Sequence, residues 1–569
     1  MPSTRPLFVN ERQDSEDRDV NEDTALLGKQ GSTSAQKNWA KFWREFALFT
    51  WASLATAAVI VLAVYSQHQQ QRTHPNNGEG VPKGKRNLIF MVSDGMGPAS
   101  LSLTRSFRQF QDDLPIDDVL VLDQHFIGSS RTRSSNSLVT DSAAGATAFS
   151  CGSKSYNGAI SMLPDHSPCG TVLEAAKRAG YKTGLVVTTS VTDATPACFA
   201  AHAHMRSEED SIARQEVGDH PLGRVVDLIL GGGRCHFLPN STSGSCRGDD
   251  DDITKLAQEK YGWSYIDDRE GFDGLKLGNE VQLPLLGLFA RYNFPYKAQM
   301  TQTALTALEE ATRDSEQGFF LMIEGSRIDH AGHANDPAAQ VHEVMEYDRA
   351  FEHVLGFLDK SSTDGILIAT SDHETGGLAV ARQLKPPPSY PQYVWLPEVL
   401  GNASSSAENS YRRLLRHVSA GDDNLENFIR EELVRKGLGI TDATDVEIQS
   451  LIDKPELGSP IFADMISRRA QIGWSTHGHT AVDVNIYGSR GSHALRGNHE
   501  NIEVGKFLRD YLNVDVQAIT DELADKSKSF VASGVNSESW AGKLPSEEDL
   551  ESMKYGDGIS QRLDLDMLQ

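Results

Sequence analysis

The chain is 569 residues long, enough for several domains, although large α/β enzymes often exceed the usual length prior as one unit. Its formal net charge of -25 argues against general binding of nucleic acid or anionic membrane surfaces, which select basic partners. An anionic substrate therefore needs a local positive centre, supplied by metal ions or a few well-placed arginines.

Residues 1–40 are polar and charged with few large apolar side chains, a composition that cannot repay the entropy of folding. They read as a disordered cytosolic tail. Within it, Glu22-Asp23-Thr24-Ala25-Leu26-Leu27 has the acidic residue and leucine pair of a sorting signal for a coat adaptor; a chance Leu-Leu in a tail is the alternative. Residues 46–65, FALFTWASLATAAVIVLAVY, are uncharged and long enough to cross a hydrocarbon layer of roughly 30 Å, so a single transmembrane helix is expected there. The run lies too far from the N-terminus and is too long for a cleaved leader. Lys37, Lys41 and Arg44 precede it and only Arg72 follows closely, which places the N-terminus in the cytosol and the rest in a lumen or outside the cell. The acceptor sequons Asn240-Ser241-Thr242 and Asn402-Ala403-Ser404 agree with that side. So do five cysteines without a C-x-x-C pair, for which an oxidising compartment favours disulfides; proximity favours Cys235 with Cys246 and Cys151 with Cys169, with buried free thiols as the alternative.

A Gln-, Asn-, Gly- and Pro-rich linker (residues 66–86) leads into a globular domain expected over residues 87–515. Short apolar runs suited to strands buried on both faces occur at residues 86–93, 183–189, 318–323 and 365–370, separated by helix-like stretches such as 171–179 and 299–313. This alternation predicts an α/β fold with a large, mostly parallel central sheet flanked by helices on both faces. Residues 516–569 are polar and acidic, and read as a mobile tail open to trimming.

Candidate ligands sit where each buried strand ends, the place where open α/β sheets carry their sites. Ser93-Asp94-Gly95-Met96-Gly97 follows the first strand, Glu324-Gly325-Ser326-Arg327-Ile328-Asp329-His330-Ala331-Gly332-His333 the strand at 318, and Ser371-Asp372-His373-Glu374-Thr375-Gly376-Gly377 the strand at 365. Thr476-His477-Gly478-His479-Thr480 precedes a strand-like run at 482–487. Asp and His donors without cysteine suit a hydrolytic metal site with open positions. Asp329 and His333, four apart, share one face of a helical turn, whereas the adjacent Asp372 and His373 can share an ion only from an irregular turn. Val139-Thr140-Asp141-Ser142-Ala143-Ala144-Gly145 places a serine where a helix begins, either as a simple cap or with the positive helix end facing a phosphate. No G-x-S-x-G elbow is present, which disfavours a histidine-activated serine hydrolase and leaves activation by metal.

The motifs Ser93 to Gly97, Thr140-Asp141-Ser142-Ala143-Ala144, Asp193-Ala194-Thr195-Pro196-Ala197, Glu324 to His330 and Ser371 to Gly377 together resemble the alkaline phosphatases, over residues 87 to about 512. With the short tail, the single anchor and Trp474-Ser475-Thr476-His477-Gly478-His479, the likeness is greatest to the vacuolar members found in fungi. The resemblance implies a phosphomonoesterase with two zinc ions and one magnesium ion per subunit and a phosphorylated Ser142. Asp329, His333 and His479 would hold the first zinc, with His477 the nearest rival position; Asp94, Asp372 and His373 would hold the second. Asp94, Thr195 and Glu324 would hold magnesium, with Asp193 behind it, and Arg206 would grip two phosphate oxygens. Asp193 is as in bacterial members and His330 as in animal ones. The family further implies a homodimer and small phosphomonoester substrates, phosphopeptides among them; with the anchor and the leucine pair it implies the vacuolar membrane. A sulfatase is disfavoured because Ser142 lacks a C/S-x-P-x-R setting, a phosphodiesterase because Thr195 and Glu324 are present, and an inactive binding protein because no ligand is lost.

Overall fold

The computed structural model describes residues 49–51, 56, 84–294, 298–385, 392–421, 423–528, 530 and 540–553. The chain divides into two units, Met1–Glu79 and Gly80–Gln569. In the first, residues 49–51 and 56 are helical; the tail with Glu22, Leu26 and Leu27, most of the 46–65 segment and most of the linker lie outside the described residues. Among the described residues no helix is long and apolar enough to cross a membrane.

The strands of the second unit, in chain order, are β1 (Arg86–Val92), β2 (Phe126–Arg131), β3 (Lys182–Ser190), β4 (Leu228–Gly232), β5 (Ser264–Ile266), β6 (Leu285–Leu288) and β7 (Phe319–Glu324). They continue as β8 (Asp364–Thr370), β9 (Glu374–Thr375), β10 (Ala379–Val380), β11 (Ile472–Gly473), β12 (His479–Thr480), β13 (Val484–Gly488) and β14 (Gly497–Glu500). Ten of them form one sheet in the order β14-β2-β13-β8-β1-β7-β3-β4-β6-β5. Every pairing in it is parallel except the two made by β13. The remaining four strands form two short antiparallel ribbons, β9 with β12 and β10 with β11.

The apolar runs become strands because both faces of the sheet are covered. In β1, Leu88, Phe90 and Val92 join one core while Ile89 and Met91 join the opposite one, as the two-residue strand period requires. Each such side chain, fully withdrawn from water, contributes about 1.5–3 kcal/mol. The helices expected near 171–179 and 299–313 form as Val172–Arg178 and Ala298–Thr312. The first is started by a capping box in which Glu174 N–H donates to Thr171 Oγ1 and Thr171 N–H to Glu174 Oε2. A third core, including Leu400, Tyr411, Leu433, Phe462 and Ile466, packs helices of residues 397–470 onto Leu103 and Phe107. Cys151–Cys169 and Cys235–Cys246 are disulfides; Cys198 is a buried thiol that burial pushes up to about 12.

One expectation is corrected. Among the described residues, the segment that begins at 516 stays on the domain: helix Val516–Lys526, capped by Asp515, buries Val516, Ile519 and Leu523 against Ala175. Further on, Ala541 is buried with Tyr156, Ala159 and Met162. The acidic composition hid an apolar stripe at 516, 519 and 523, one side of a helix. Leu523→Ala should therefore lower stability by about 3 kcal/mol, seen as a fall in Tm; an unchanged Tm would contradict the docking.

Candidate active site

The sheet delivers its polar residues to one edge. Val92 of β1 lies level with Glu324 of β7 and with Thr370 of β8, so the segments that follow, carrying Asp94 and Asp372, emerge beside Glu324. Ser142 opens the helix Ser142–Cys151; its cap is Asp141, whose Oδ1 accepts from Ala144 N–H at 3.0 Å. Ser142 is thus not the cap, and its hydroxyl is left for other work. Ser142 Oγ lies 3.0 Å from His373 Nε2. The close approach requires Gly145, since a Cβ there would stand 2.9 Å from Asp372 Cβ.

Asp329, His333 and His479 meet in one cluster. His333 Nε2 is 3.2 Å from Asp329 Oδ2, and His479 Nε2 is 3.1 Å from His333 Nε2 and 3.7 Å from Asp329 Oδ1. His333 Nδ1 faces the His477 carbonyl, and His479 Nδ1 is 2.9 Å from the Thr140 carbonyl. Carbonyls only accept, so both rings carry their proton on Nδ1 and, when neutral, turn Nε2 lone pairs toward each other and a carboxylate. Lone pairs so placed call for a cation, and histidines that donate their other nitrogen to a carbonyl are the usual metal ligands. The β9–β12 ribbon makes the arrangement by pairing His479 with Thr375. His477 is exposed and only its backbone carbonyl reaches His333 Nδ1, while its own Nδ1 is 2.7 Å from the His333 carbonyl.

Asp94, Asp372 and His373 form the adjoining cluster. Asp94 Oδ1 and Asp372 Oδ2 lie 3.5 and 3.2 Å from His373 Nε2, and both oxygens are buried without a hydrogen-bond donor. Burial, then the charges of Asp372, Asp329 and Glu324, raise the Asp94 carboxyl well above its ordinary range. Glu324 is pushed up to about 8 by burial and by its neighbours Asp193 and Asp372, against an opposing hydrogen bond from Ser326 Oγ at 2.6 Å. Thr195 is buried in the first turn of helix Ala194–Ala200, which Asp193 caps through Ala194 N–H at 2.7 Å. Four buried carboxylates in mutual repulsion, with two orphaned oxygens and inward-facing imidazoles, make a donor set that fits divalent cations.

Arg206 is buried nearby; Nη2 is 2.8 Å from Asp193 Oδ1 and Nη1 3.6 Å from Asp141 Oδ2, while its backbone N–H donates to the Gly158 carbonyl at 2.7 Å. Burial opposes the charge on Asp193, but Arg206, the Ala194 N–H and His330 together outweigh it and hold that carboxyl below its ordinary range. His330 is buried at the rim, and burial followed by the Arg327 charge lowers its pKa, leaving the imidazole neutral. Asn240 and Asn402 lie on the surface. Sequence reasoning gave no role to Asp141, which caps the serine helix and braces Arg206, or to Thr375, whose hydroxyl donates to Asp329 Oδ1 and lies 3.2 Å from His373 Nδ1. Both stood inside the motifs that were singled out, but only folding gives them partners.

A carboxyl raised by folding lends stability that is complete below its unfolded pKa and is lost as pH rises through the folded one. For Glu324 that window runs from about 4.5 to about 8, so the chelated protein should melt lower at pH 8 than at pH 6. Glu324→Gln should raise the Tm of the chelated protein at pH 8; a lower Tm at that pH would contradict the reading.

Comparison with known proteins fits this geometry. Residues 85–514 match the family model for alkaline phosphatase. The chain is 52% identical over 491 residues to the repressible alkaline phosphatase of Saccharomyces cerevisiae, covering 80% of this chain and 86% of that one. It is 48% identical over 514 residues to an alkaline phosphatase of Schizosaccharomyces pombe, covering 88% and 92%. Among solved structures, the cold-active alkaline phosphatase of a Shewanella species superposes with a TM-score of 0.63 at 29% identity, covering 75% of this chain and 99% of that one. The motifs at the strand ends, the clustered donors and the match along most of the sequence agree: the chain belongs to the alkaline phosphatase family, enzymes that hydrolyse phosphate monoesters.

Proposed function

We propose that the chain hydrolyses phosphate monoesters through a covalent phosphoseryl enzyme, with Ser142 as the nucleophile at a centre of two zinc ions and one magnesium ion. The observation that carries this reading is the position of Ser142 Oγ, at a helix N-terminus and 3.0 Å from Nε2 of His373, the residue that two groups of metal-type donors share. Asp329, His333 and His479 would hold the first zinc and Asp94, Asp372 and His373 the second. Asp94, Thr195 and Glu324 would hold magnesium, with Asp193 behind it. When bound, these ions supply positive charge to the entering and leaving oxygens of the displacement.

The chain's own residues do the rest. Ser142 Oγ attacks phosphorus; the Oγ–P bond forms as the bond from phosphorus to the ester oxygen breaks, and the alcohol departs with a proton. Water then attacks from the vacated side, the Oγ–P bond breaks, and inorganic phosphate and the serine hydroxyl are regenerated. Arg206 offers two parallel N–H groups to the non-bridging oxygens, and Asp193 and Asp141 fix the plane of that fork before substrate arrives. Peptide N–H groups in the first turn of Ser142–Cys151 favour the phosphoryl charge from the other side. Monoester hydrolysis demands a barrier reduction of about 20 kcal/mol, which is why pre-set charge rather than acid–base chemistry alone suits this site. Ligand histidines must be neutral, so the optimum lies above neutral pH.

The same reading makes the protein a single-pass glycoprotein of the vacuolar membrane, cytosolic at its N-terminus, luminal in its catalytic unit, and a homodimer acting on small phosphomonoesters and phosphopeptides. Its supports are the uncharged run at 46–65, the basic residues before it, the exposed sequons at Asn240 and Asn402 and the Glu22, Leu26, Leu27 signal for a coat adaptor.

Hydrolysis of 4-nitrophenyl phosphate at pH 8 to 9 should vanish on chelation, return with zinc and magnesium, and fall at least about 1,000-fold in Ser142→Ala. Undiminished turnover by that variant would overturn the nucleophile assignment. Replacing Leu26 and Leu27 by Ala should misroute the protein in cells, and unchanged routing would remove the sorting signal.

A further inference from the structure

The ribbon of β9 and β12 has two residues in each strand, and its two faces do different work. On one face His479 and Thr375 lie opposite each other and reach the metal-type donors: His479 Nε2 is 3.1 Å from His333 Nε2, and the Thr375 hydroxyl donates to Asp329 Oδ1. Alternation along a strand puts Glu374 and Thr480, the other opposed pair, on the reverse face. There the Thr480 hydroxyl donates to Glu374 Oε2. Glu374 is 3% exposed, a buried carboxylate that stands outside the donor groups around Ser142.

Glu374 accepts two further hydrogen bonds, from Gly377 N–H at 3.3 Å and Leu378 N–H at 3.1 Å, which close the turn after β9. Those donors lie three and four residues away, whereas Thr480 lies 106 residues along the chain. A residue that merely capped its own turn would need the local pair and nothing more. The third bond fastens the turn to the residue next to His479. Backbone bonds hold the same loop, with Gly376 N–H donating to the Gly478 carbonyl at 2.8 Å and Ser475 N–H to the Gly376 carbonyl at 3.0 Å. Even so, a two-stranded ribbon this short has little stability of its own, and side-chain pairs across the strands are what steady it. Glu374 also packs against the loop that carries Asp94, since a Cβ at Gly97 would stand 2.2 Å from its Cγ.

We propose that Glu374 is a positioning residue for the metal centre: through Thr480 it fixes the His479 imidazole, and so sets the zinc affinity of the group formed by Asp329, His333 and His479. Residues that orient a metal ligand from behind govern affinity or activity by about 10- to 100-fold. The inference rests on the reading of that group as a zinc site. Thr195 and Glu324 take no part in the bond to Thr480, so magnesium binding separates this role from a general loosening of the fold.

The test uses the full chain and measures zinc affinity by competition with a chromophoric chelator, with magnesium affinity followed by titration calorimetry. His479→Ala marks which bound zinc belongs to the His479 group. Thr480→Val removes the hydroxyl and leaves the turn closed by Glu374; it should weaken that zinc at least about 10-fold while magnesium affinity stays within about twofold. Thr480→Ser, which keeps the hydroxyl, should retain the native zinc affinity. Adding Thr480→Val to Glu374→Ala should cost no further affinity, because the bond is already gone. Unchanged zinc affinity in Thr480→Val, an equal loss in Thr480→Ser, or a matching loss of magnesium would overturn the role of Glu374 while leaving the phosphatase intact. If the unaltered protein takes up no zinc, the metal reading falls and this inference with it.

Discussion

Repulsion among buried carboxylates is the constraint around which this molecule is arranged. Asp94, Glu324, Asp329 and Asp372 converge at the end of the sheet, each nearly withdrawn from water. Without compensation such a set takes up protons, as the raised Asp94 and Glu324 show, or pushes the segments apart. Compensation comes from the inward-facing imidazoles of His333, His373 and His479 and from the Arg206 guanidinium beside Asp193 and Asp141, and the donor geometry leaves room for divalent cations to supply the rest. The strain is tolerable only because a rigid sheet, covered on both faces, holds the strand ends in register.

The same constraint explains why small residues crowd the serine. Helix Ser142–Cys151 must come so near Asp372 that any side chain at Gly145 would collide with it. Gly95, at φ 75°, turns the chain sharply after Asp94 and lets the backbone pass Asp329, where a Cβ would stand 2.6 Å from Cα. Backbone packed this tightly keeps bulk water out and sets the Ser142 hydroxyl at fixed distances from its neighbours, and such preorganisation is what a reaction with a very high barrier needs. On the proposed mechanism the acidic surface is no obstacle, because the attraction felt by an anionic substrate would be decided within a few ångströms by Arg206 and the bound cations.

The sequence alone made the α/β class legible, since uniformly apolar runs such as LIFMV and GFFLMI bury on both faces only in a covered, largely parallel sheet, and ligand residues followed each run. It also made the two disulfide pairs legible by proximity and Asp329 with His333 by helical spacing. Other features belonged to the tertiary structure: the reversed strand β13, the ribbon that carries His479 to His333, the bracing of Arg206 by Asp141 and Asp193, and the docking of helix Val516–Lys526. Each of these depends on residues far apart in the chain that meet only when loops close, and a local pattern holds no record of such a meeting. Residue types and their order along the chain therefore determined which chemistry was available, and packing between distant segments decided which atoms face one another to perform it.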